Sequence, residues 1–269
     1  MERGLISSLV SFPILLYDIH VVVIIKVMDF VHLHVHTDYS FLNGLPKVKA
    51  LVKAAKKQGA KAIALTDYGG MYGAIEFYQV CKKEGIKPII GFDAYVAPRT
   101  MADKDLEKDK AVYRLTLLAK DYTGYVHLMK LCSEGHLDGF FNGKPRIDKE
   151  AIKRYSEGVL ALSGTIDGEV SQYLLKDKYE EAKKVALEYV DIFGVDNFYL
   201  ELQDHPAVEG QMNVNSKLIE LSKDTGIPLV VTRDVHYLKP EDAEAQDILR
   251  CISEGWKVNY TDREDMRHV

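Results

Sequence analysis

The sequence predicts an α/β fold in which parallel strands form a closed or nearly closed barrel. Seven short apolar segments alternate with amphipathic helical segments along the chain. Helical crossovers of this kind are what parallel strands require. The length of 269 residues, with 47% hydrophobic and 28% charged residues, suits a single barrel domain.

The elements follow from periodicity, β-branched content and the Gly and Pro residues that bound each segment. The predicted strands are 30–36, 62–66, 89–96, 113–119, 159–163, 198–202 and 229–232. The predicted helices are 46–58, 74–83, 125–134, 177–193, 213–224 and 240–252. Segments 98–110 and 139–145 are predicted to be a charged mobile loop and irregular chain.

The first 28 residues differ from the rest because two apolar runs, 5–16 and 21–27, are interrupted by Pro13 and a polar stretch. Neither run reaches the roughly 20 apolar residues of a membrane span. We interpret 1–28 as a non-native or disordered extension with Met28 as the natural start; a membrane anchor and a signal peptide are the alternatives. The domain is predicted to cover 29–252, and 253–269 to begin a linker toward further chain.

Bulk charge and cysteine usage limit the function classes. The net charge of -5 does not favour nucleic-acid binding by the chain as a whole. Cys81, Cys132 and Cys251 form no paired motif, which favours a reducing, cytoplasmic location.

Histidines and acids fall where strands end. His32, His34 and His36 alternate along the first predicted strand, so three imidazoles should share one face. Asp234 and His236 repeat the spacing of two after the last strand. In a parallel barrel these positions meet at the carboxyl-end rim, where active sites lie. A metal site for zinc, manganese or iron is therefore expected.

Two further acids, Asp67 and Asp93, belong to the second and third predicted strands. Each alone is more typical of a cap or a turn. Together with the two histidine-containing pairs they favour a metal-dependent hydrolytic site.

Several motifs resemble the polymerase-and-histidinol-phosphatase (PHP) domain family, over essentially 29–269 and in the family's order. The last two of the motifs are similar to the version in bacterial DNA polymerase III alpha subunits rather than in stand-alone phosphatases. The motifs are Phe-Val-His-Leu-His-Val-His-Thr-Asp-Tyr-Ser from 30, Ala-Leu-Thr-Asp-Tyr-Gly from 64, Lys-Pro-Ile-Ile-Gly from 87, Leu-Ser-Gly from 162, Tyr-Leu-Glu-Leu-Gln-Asp-His from 199 and Thr-Arg-Asp-Val-His-Tyr-Leu from 232.

The resemblance implies a (βα)7 barrel-like PHP fold that in complete members holds three metals through nine ligands and can act as a 3′–5′ exonuclease. Five positions here carry usable ligands: His34, His36, Asp93, Asp234 and His236. Asp93 stands where the family usually has Glu. His32 and Asp67 are possible supporting residues around the ligands.

Four positions depart from the family's ligand set. Asn43 replaces an acid, Tyr68 and Arg114 each replace a histidine, and Thr165 replaces Cys or His. Arg114 introduces a permanent cation, and a unit charge about 4 Å away at an effective dielectric of about 20 costs roughly 4 kcal/mol per like charge. We expect Arg114 to pair with Asp93 or Asp234 in place of a lost metal. At most one residual zinc or manganese is expected.

The resemblance favours a structural and interaction module within a replicative DNA-directed DNA polymerase, a nucleotidyltransferase. Its expected partners are the rest of the alpha chain and a proofreading exonuclease or another replisome subunit, with DNA reached only through the full polymerase and no membrane. Magnesium-dependent nucleotidyl transfer would belong to sequence after Val269, since Asp103 and Asp105 look like solvated loop residues. The alternatives are a free-standing metal-dependent phosphoesterase and a membrane-attached relative.

Overall fold

A computed structural model of the chain describes residues 30–206 and 208–258. The predictions for the apolar extension 1–28 and for most of the linker 253–269 therefore lie outside the described residues.

The described residues form alternating strands and helices, as the sequence predicts. The strands are β1 (Ala62–Leu65), β2 (Lys87–Val96), β3 (Tyr113–Ala119), β4 (Phe140–Phe141), β5 (Lys144–Ile147), β6 (Val159–Leu162), β7 (Phe198–Gln203) and β8 (Leu229–Thr232). The helices are α1 (Val48–Lys57), α2 (Ala74–Glu84), α3 (Tyr122–Leu137), α4 (Lys149–Arg154), α5 (Glu169–Leu175), α6 (Tyr179–Phe193), α7 (Gln211–Thr225) and α8 (Ala243–Glu254), the last preceded by a 3-10 turn at Pro240–Asp242.

The strands form one mixed sheet in the order β4-β5-β2-β3-β6-β7-β8, with β1 beside β2. The α/β class is confirmed, but the expectation that the strands are parallel holds for only part of the sheet. β3 runs antiparallel to both β2 and β6, and β4 is antiparallel to β5. The chain passes from β2 to β3 through a loop without a helix, and antiparallel neighbours need no helical crossover.

The segment predicted as the first strand has no regular strand geometry, yet it bridges β1 and the chain that follows β8. The amides of Ala64 and Thr66 donate to its carbonyls at His32 and Val35, each at 2.9 Å. On its other side, Val35 forms a β-bridge with Val235. The segment thus lies between β1 and the chain that follows β8, and it brings the histidines of both regions together.

The sequence predictions missed a short hairpin and two short helices. β4 and β5 pair as a hairpin across Asn142 and Gly143, both of which have positive φ. An Asn-Gly pair with this backbone is a strong hairpin signal, so the assignment of 139–145 as irregular was wrong. The helices α4 and α5 were overlooked because each spans only one or two turns.

The charged loop 98–110 is held in place rather than loose. The buried guanidinium of Arg146 donates to the carbonyls of Met101, Asp103 and Asp109. Buried Asp109 in turn accepts from Arg99. The expectation of a mobile loop therefore finds no support in these contacts.

Among the helices of the described residues, none combines the length and the apolar character needed to cross a bilayer.

Candidate metal centre

The predicted metal-site residues come from three separate parts of the fold. His34 and His36 lie on the segment between β1 and the chain after β8, and both are fully buried. Asp93 lies within β2 and is also buried, whereas Asp234 and His236 directly follow β8. Asp234 has a φ of 46°, a left-handed backbone conformation that is uncommon outside glycine and several-fold enriched for Asp and Asn.

Three imidazoles converge on one carboxylate oxygen. The Nε2 atoms of His34, His36 and His236 lie 3.5, 3.0 and 3.2 Å from Asp234 Oδ1. Among the described residues, His36 Nε2 and Asp234 Oδ1 have no partner in hydrogen-bonding geometry. Buried polar atoms that face each other without a hydrogen bond fit a bound cation.

The Nδ1 atom of each imidazole, on the side of the ring away from Asp234, contacts a hydrogen-bond acceptor. His236 Nδ1 donates to the Asn43 carbonyl at 2.6 Å, which leaves a lone pair on Nε2 when the ring is neutral. His34 Nδ1 lies 2.8 Å from Glu201 Oε1. Outer partners of this kind orient histidines that bind metals.

His36 is oriented through a chain of two hydrogen bonds that ends at Asp67. Ser40 donates its hydroxyl hydrogen to Asp67 Oδ1 at 2.6 Å, so toward His36 Nδ1, 3.1 Å away, it acts as an acceptor. Asp67 also accepts from the backbone and side chain of Thr37. Asp67 therefore touches the centre only through Ser40.

Arg114 lies beside these ligands rather than in solvent. Its Nε and Nη2 atoms donate to Asp93 Oδ2 at 3.1 and 2.5 Å. Its guanidinium carbon lies 3.8 Å from the ring centroid of Tyr68 and 4.5 Å from that of Tyr95. The predicted ion pair with Asp93 is present, and cation–π contacts hold the guanidinium on two sides.

Comparison with known proteins identifies the family. The family model described as PHP domain matches residues 32–205. The chain belongs to the PHP domain family.

Curated relatives of this PHP domain are much longer proteins. The DNA polymerase III subunit alpha of Treponema pallidum is 46% identical over 236 residues, which cover 87% of this chain and 20% of that protein. The subunit of the same name from Thermus aquaticus is 41% identical over 240 residues, or 88% and 19% of the two chains. The chain thus spans about a fifth of the length of these relatives.

A solved structure described as a metal-dependent phosphoesterase from Bifidobacterium adolescentis shares the fold. It has a TM-score of 0.50 and 12% identity, and the match covers 77% of this chain and 87% of the other. At this identity the similarity concerns the fold alone.

The ionisable groups of the PHP centre shift one another's pKa values. Burial, reinforced by His236, lowers the pKa of His36 to about 3, so this imidazole is neutral. Burial is the largest influence on Asp93 and Asp234 and opposes their charge, but Arg114, His34 and His36 together outweigh it at Asp93, and His34, His36 and His236 together outweigh it at Asp234, so both carboxyl pKa values fall.

The pKa of His34 shifts in the opposite direction from that of His36. Burial opposes its protonation, but Asp234 and Glu201 raise its pKa well above the ordinary value. In the metal-free protein the His34 ring thus carries a proton on Nε2 toward Asp93 and Asp234. A metal ion must displace that proton before it can bind this nitrogen.

The other departures from the family pattern occupy different places. The Tyr68 hydroxyl lies 3.4 Å from His236 Nε2, and its ring centroid lies 4.0 Å from that of His36. The Asn43 side chain donates to the Phe41 carbonyl, so Asn43 supports His236 only through its backbone. Thr165 lines the mouth of the centre and accepts from the Asp167 amide.

His32 does not share a face with His34 and His36, so that expectation was wrong. It packs edge-on against Phe30, and among the described residues it belongs to neither group of candidate metal ligands. Strict alternation holds only in a regular strand, and the backbone bends at His34.

Sequence reasoning missed Glu201, which is 1% exposed on β7 and contacts His34. Its second partner is Thr232, which donates to the same oxygen. The available signal was an acid between two leucines in a buried strand, because an acid in such a position is rarely left without a partner.

Proposed function

We propose that the chain is the N-terminal PHP module of a DNA polymerase III alpha subunit and serves mainly as a structural and interaction module. The observation that carries this proposal is the Arg114 guanidinium, which is paired with Asp93 and contacts the rings of Tyr68 and Tyr95. A fixed cation there opposes the binding of a full metal cluster. The named relatives support the placement in an alpha chain.

In this proposal the module packs on the rest of the alpha chain and helps to dock a proofreading exonuclease or another replisome subunit. DNA would be contacted through the full polymerase, and nucleotidyl transfer with magnesium would belong to regions outside this chain.

We further propose that one zinc or manganese ion remains. His34 and His36, together with Asp234 or His236, would hold it, a donor set that suits either metal. Such an ion supplies Lewis acidity and makes bound water more acidic. The chain's own contribution is to orient the imidazoles through Glu201, Ser40 and the Asn43 carbonyl, and to keep Arg114 on Asp93.

The convergence of three imidazoles on Asp234 favours a second candidate, a free-standing metal-dependent phosphoesterase. The two candidates differ in metal content and in hydrolysis. Elemental analysis of the 269-residue chain after purification in zinc and in manganese gives the first quantity. A 3′-labelled oligonucleotide assay with added manganese gives the second.

The module proposal predicts at most one metal per chain, lost in His34→Ala but kept in His127→Ala, which changes a half-buried histidine of α3 outside the centre, where its Nδ1 donates to the Glu157 carbonyl. It also predicts no cleavage above the level of His34→Ala. Arg114→His, which restores the family's residue, should increase the metal content. Two or three metals in the unmodified chain, together with cleavage that His34→Ala abolishes, would contradict the module proposal and support the phosphoesterase.

A further inference from the structure

A groove lies between α2 and the beginning of α3, and none of its lining residues is shared with the mouth of the metal centre. Its volume is about 640 Å³, and its lining includes the partly exposed residues Pro88, Ile89 and Ile90 of β2 and Leu160 of β6. The chain passes from β2 to β3 without a crossover helix. The alternation therefore lacks the helix that would follow β2, and the start of this strand stays accessible between α2 and α3.

Apolar side chains on both helices are exposed beside this groove. On α2, Ile75 is 60% and Tyr78 is 46% exposed, and on α3 Tyr122 is 79% exposed. Ile75 and Tyr78 are three positions apart, which places them on one face of α2. The ring centroids of Tyr122 and Tyr125 lie 6.3 Å apart. Single exposed apolar residues are common, but aromatic residues gathered at an apolar groove are typical of protein–protein contacts.

Positive charge is concentrated at one end of the groove. Lys82 continues the exposed face of α2 by its helical spacing, Lys87 begins β2, and Lys120 directly follows β3; all three are exposed. In the described part of the chain none of the three forms an ion pair, and Lys120 donates to the neutral side-chain oxygen of Asn197 at 3.0 Å. Asp121, the acid in the lining, is engaged as the cap of α3. The excess of positive charge favours a partner with acidic residues at the corresponding end.

The backbone of the groove limits how a partner can bind. The start of β2 is paired with β1 on one edge, and Pro88 has no amide hydrogen to offer an added strand. A partner must therefore bind through side chains. An amphipathic helix does so, because its apolar residues recur along one face.

We propose that this groove binds an amphipathic helix of another polypeptide. Apolar residues of that helix would pack on Ile75, Tyr78 and Tyr122, and acidic residues near one of its ends would face Lys87 and Lys120. The inference rests on the proposed interaction role, for which it supplies a surface, and it does not depend on the metal content.

The test is selection from a phage-displayed library of random peptides of about 15 residues, or about four helical turns. Selection uses the 269-residue chain with a chelator present, and peptides that also bind the double variant Ile75→Glu, Tyr122→Glu are removed. We expect the recovered peptides to share apolar residues at helical spacing and to carry net negative charge. The most enriched peptide is then synthesised with a fluorescent label, and its Kd is measured by anisotropy.

Matched variants locate the binding. Ile75→Glu and Tyr122→Glu should each weaken it by about tenfold or more, whereas Ile219→Glu, at an exposed apolar position of α7 outside the groove, should leave the Kd unchanged. Lys87→Glu should weaken binding most at low salt, and Lys153→Glu, at an exposed position of α4, should not. Because these positions are exposed, the melting temperatures should stay close to that of the unmodified protein.

Four outcomes overturn the proposal: no peptide that depends on the groove; recovered peptides without acidic residues; a Kd that Lys87→Glu leaves unchanged; or a bound peptide that gains no helical circular dichroism. Recovery of peptides only with a chain that starts at Met28 would assign the groove to residues 1–27 and likewise overturn it. None of these outcomes affects the metal count or the oligonucleotide assay, so failure here is distinguishable from failure of the proposed function.

Discussion

The imidazoles of His34, His36 and His236, the proposed metal ligands, are oriented by residues that contact only their outward nitrogens. The acceptors differ in kind: the Glu201 carboxylate, the Ser40 hydroxyl and the Asn43 backbone carbonyl. A sequence reveals which residues have imidazoles, but these acceptors are separated from their histidines by up to 193 positions. Their pairing is a consequence of the fold.

Glu201 provides the most direct test of this arrangement. Glu201→Gln keeps the size and an acceptor oxygen but removes the negative charge behind His34, so His34 becomes a poorer ligand. We expect metal affinity to fall by about 10- to 100-fold, measured by competition with a chromophoric chelator. Glu209→Gln, at an exposed position beyond β7, should leave the affinity unchanged. Equal affinities for the two variants would contradict a role of Glu201 in orienting the ligand.

The sequence predicted an ion pair for Arg114, because a guanidinium that lies among carboxylates and away from solvent needs a charged partner. It could not choose between Asp93 and Asp234. The register of β2 against β3, which sets Tyr95 opposite Arg114 and Asp93 opposite Thr116, makes that choice.

At the scale of elements, local sequence fixed most helix and strand positions. Gly85 ends α2 in a left-handed conformation. Asp121 begins α3 by accepting from the Gly124 amide at 2.9 Å. Both signals lie within a few residues of the element that they bound. The end of α2 at Gly85 was predicted, whereas the predicted helix 125–134 began after the Asp121 cap and the observed start at Tyr122.

The cap of α3 can be tested with a matched pair of substitutions. Asp121→Ala removes the acceptor for the Gly124 amide and should lower the free energy of unfolding by about 1 kcal/mol. Asp121→Asn retains a side-chain oxygen in the same place and should lie within about 0.5 kcal/mol of the unmodified protein. Urea unfolding followed by circular dichroism measures both, and an equal loss in the two variants would exclude a capping role.

The first predicted strand shows the limit of reasoning at this scale. Its alternating pattern favours a regular strand, but tertiary contacts with Ala64, Thr66 and Val235 hold it in an irregular path. Along that path His34 and His36 approach Asp234, whereas His32 packs against Phe30.

At the scale of the whole molecule, this irregular segment links β1 to the chain after β8. Thr66 is fully buried and fastens the segment with its hydroxyl, which accepts from the Val35 amide at 2.7 Å and donates to the Val35 carbonyl at 3.1 Å. Val35 lies between the two histidines of the centre, so stability and metal binding depend on the same contact.

Thr66→Val keeps the shape of the side chain but leaves the Val35 amide without this acceptor. We expect a loss of about 1–3 kcal/mol in the free energy of unfolding, together with weaker metal binding. Thr66→Ser retains the hydroxyl and should keep the metal affinity of the unmodified chain. Urea unfolding and chelator competition on both variants provide the measurement. Unchanged metal affinity in Thr66→Val would show that the contact between Thr66 and Val35 does not support the metal centre.

The sequence by itself determined the α/β class, the position of most elements and the family resemblance, and it led to the proposal of five ligand positions with four departures from the family pattern. These properties depend on local periodicity and on residue chemistry. Only the tertiary structure decided that β3 runs antiparallel, that Glu201 supports His34, that Arg114 pairs with Asp93, and that His32 lies outside the two groups of candidate ligands. Each of these depends on strand direction, register and long-range packing, which residues distant in sequence fix jointly.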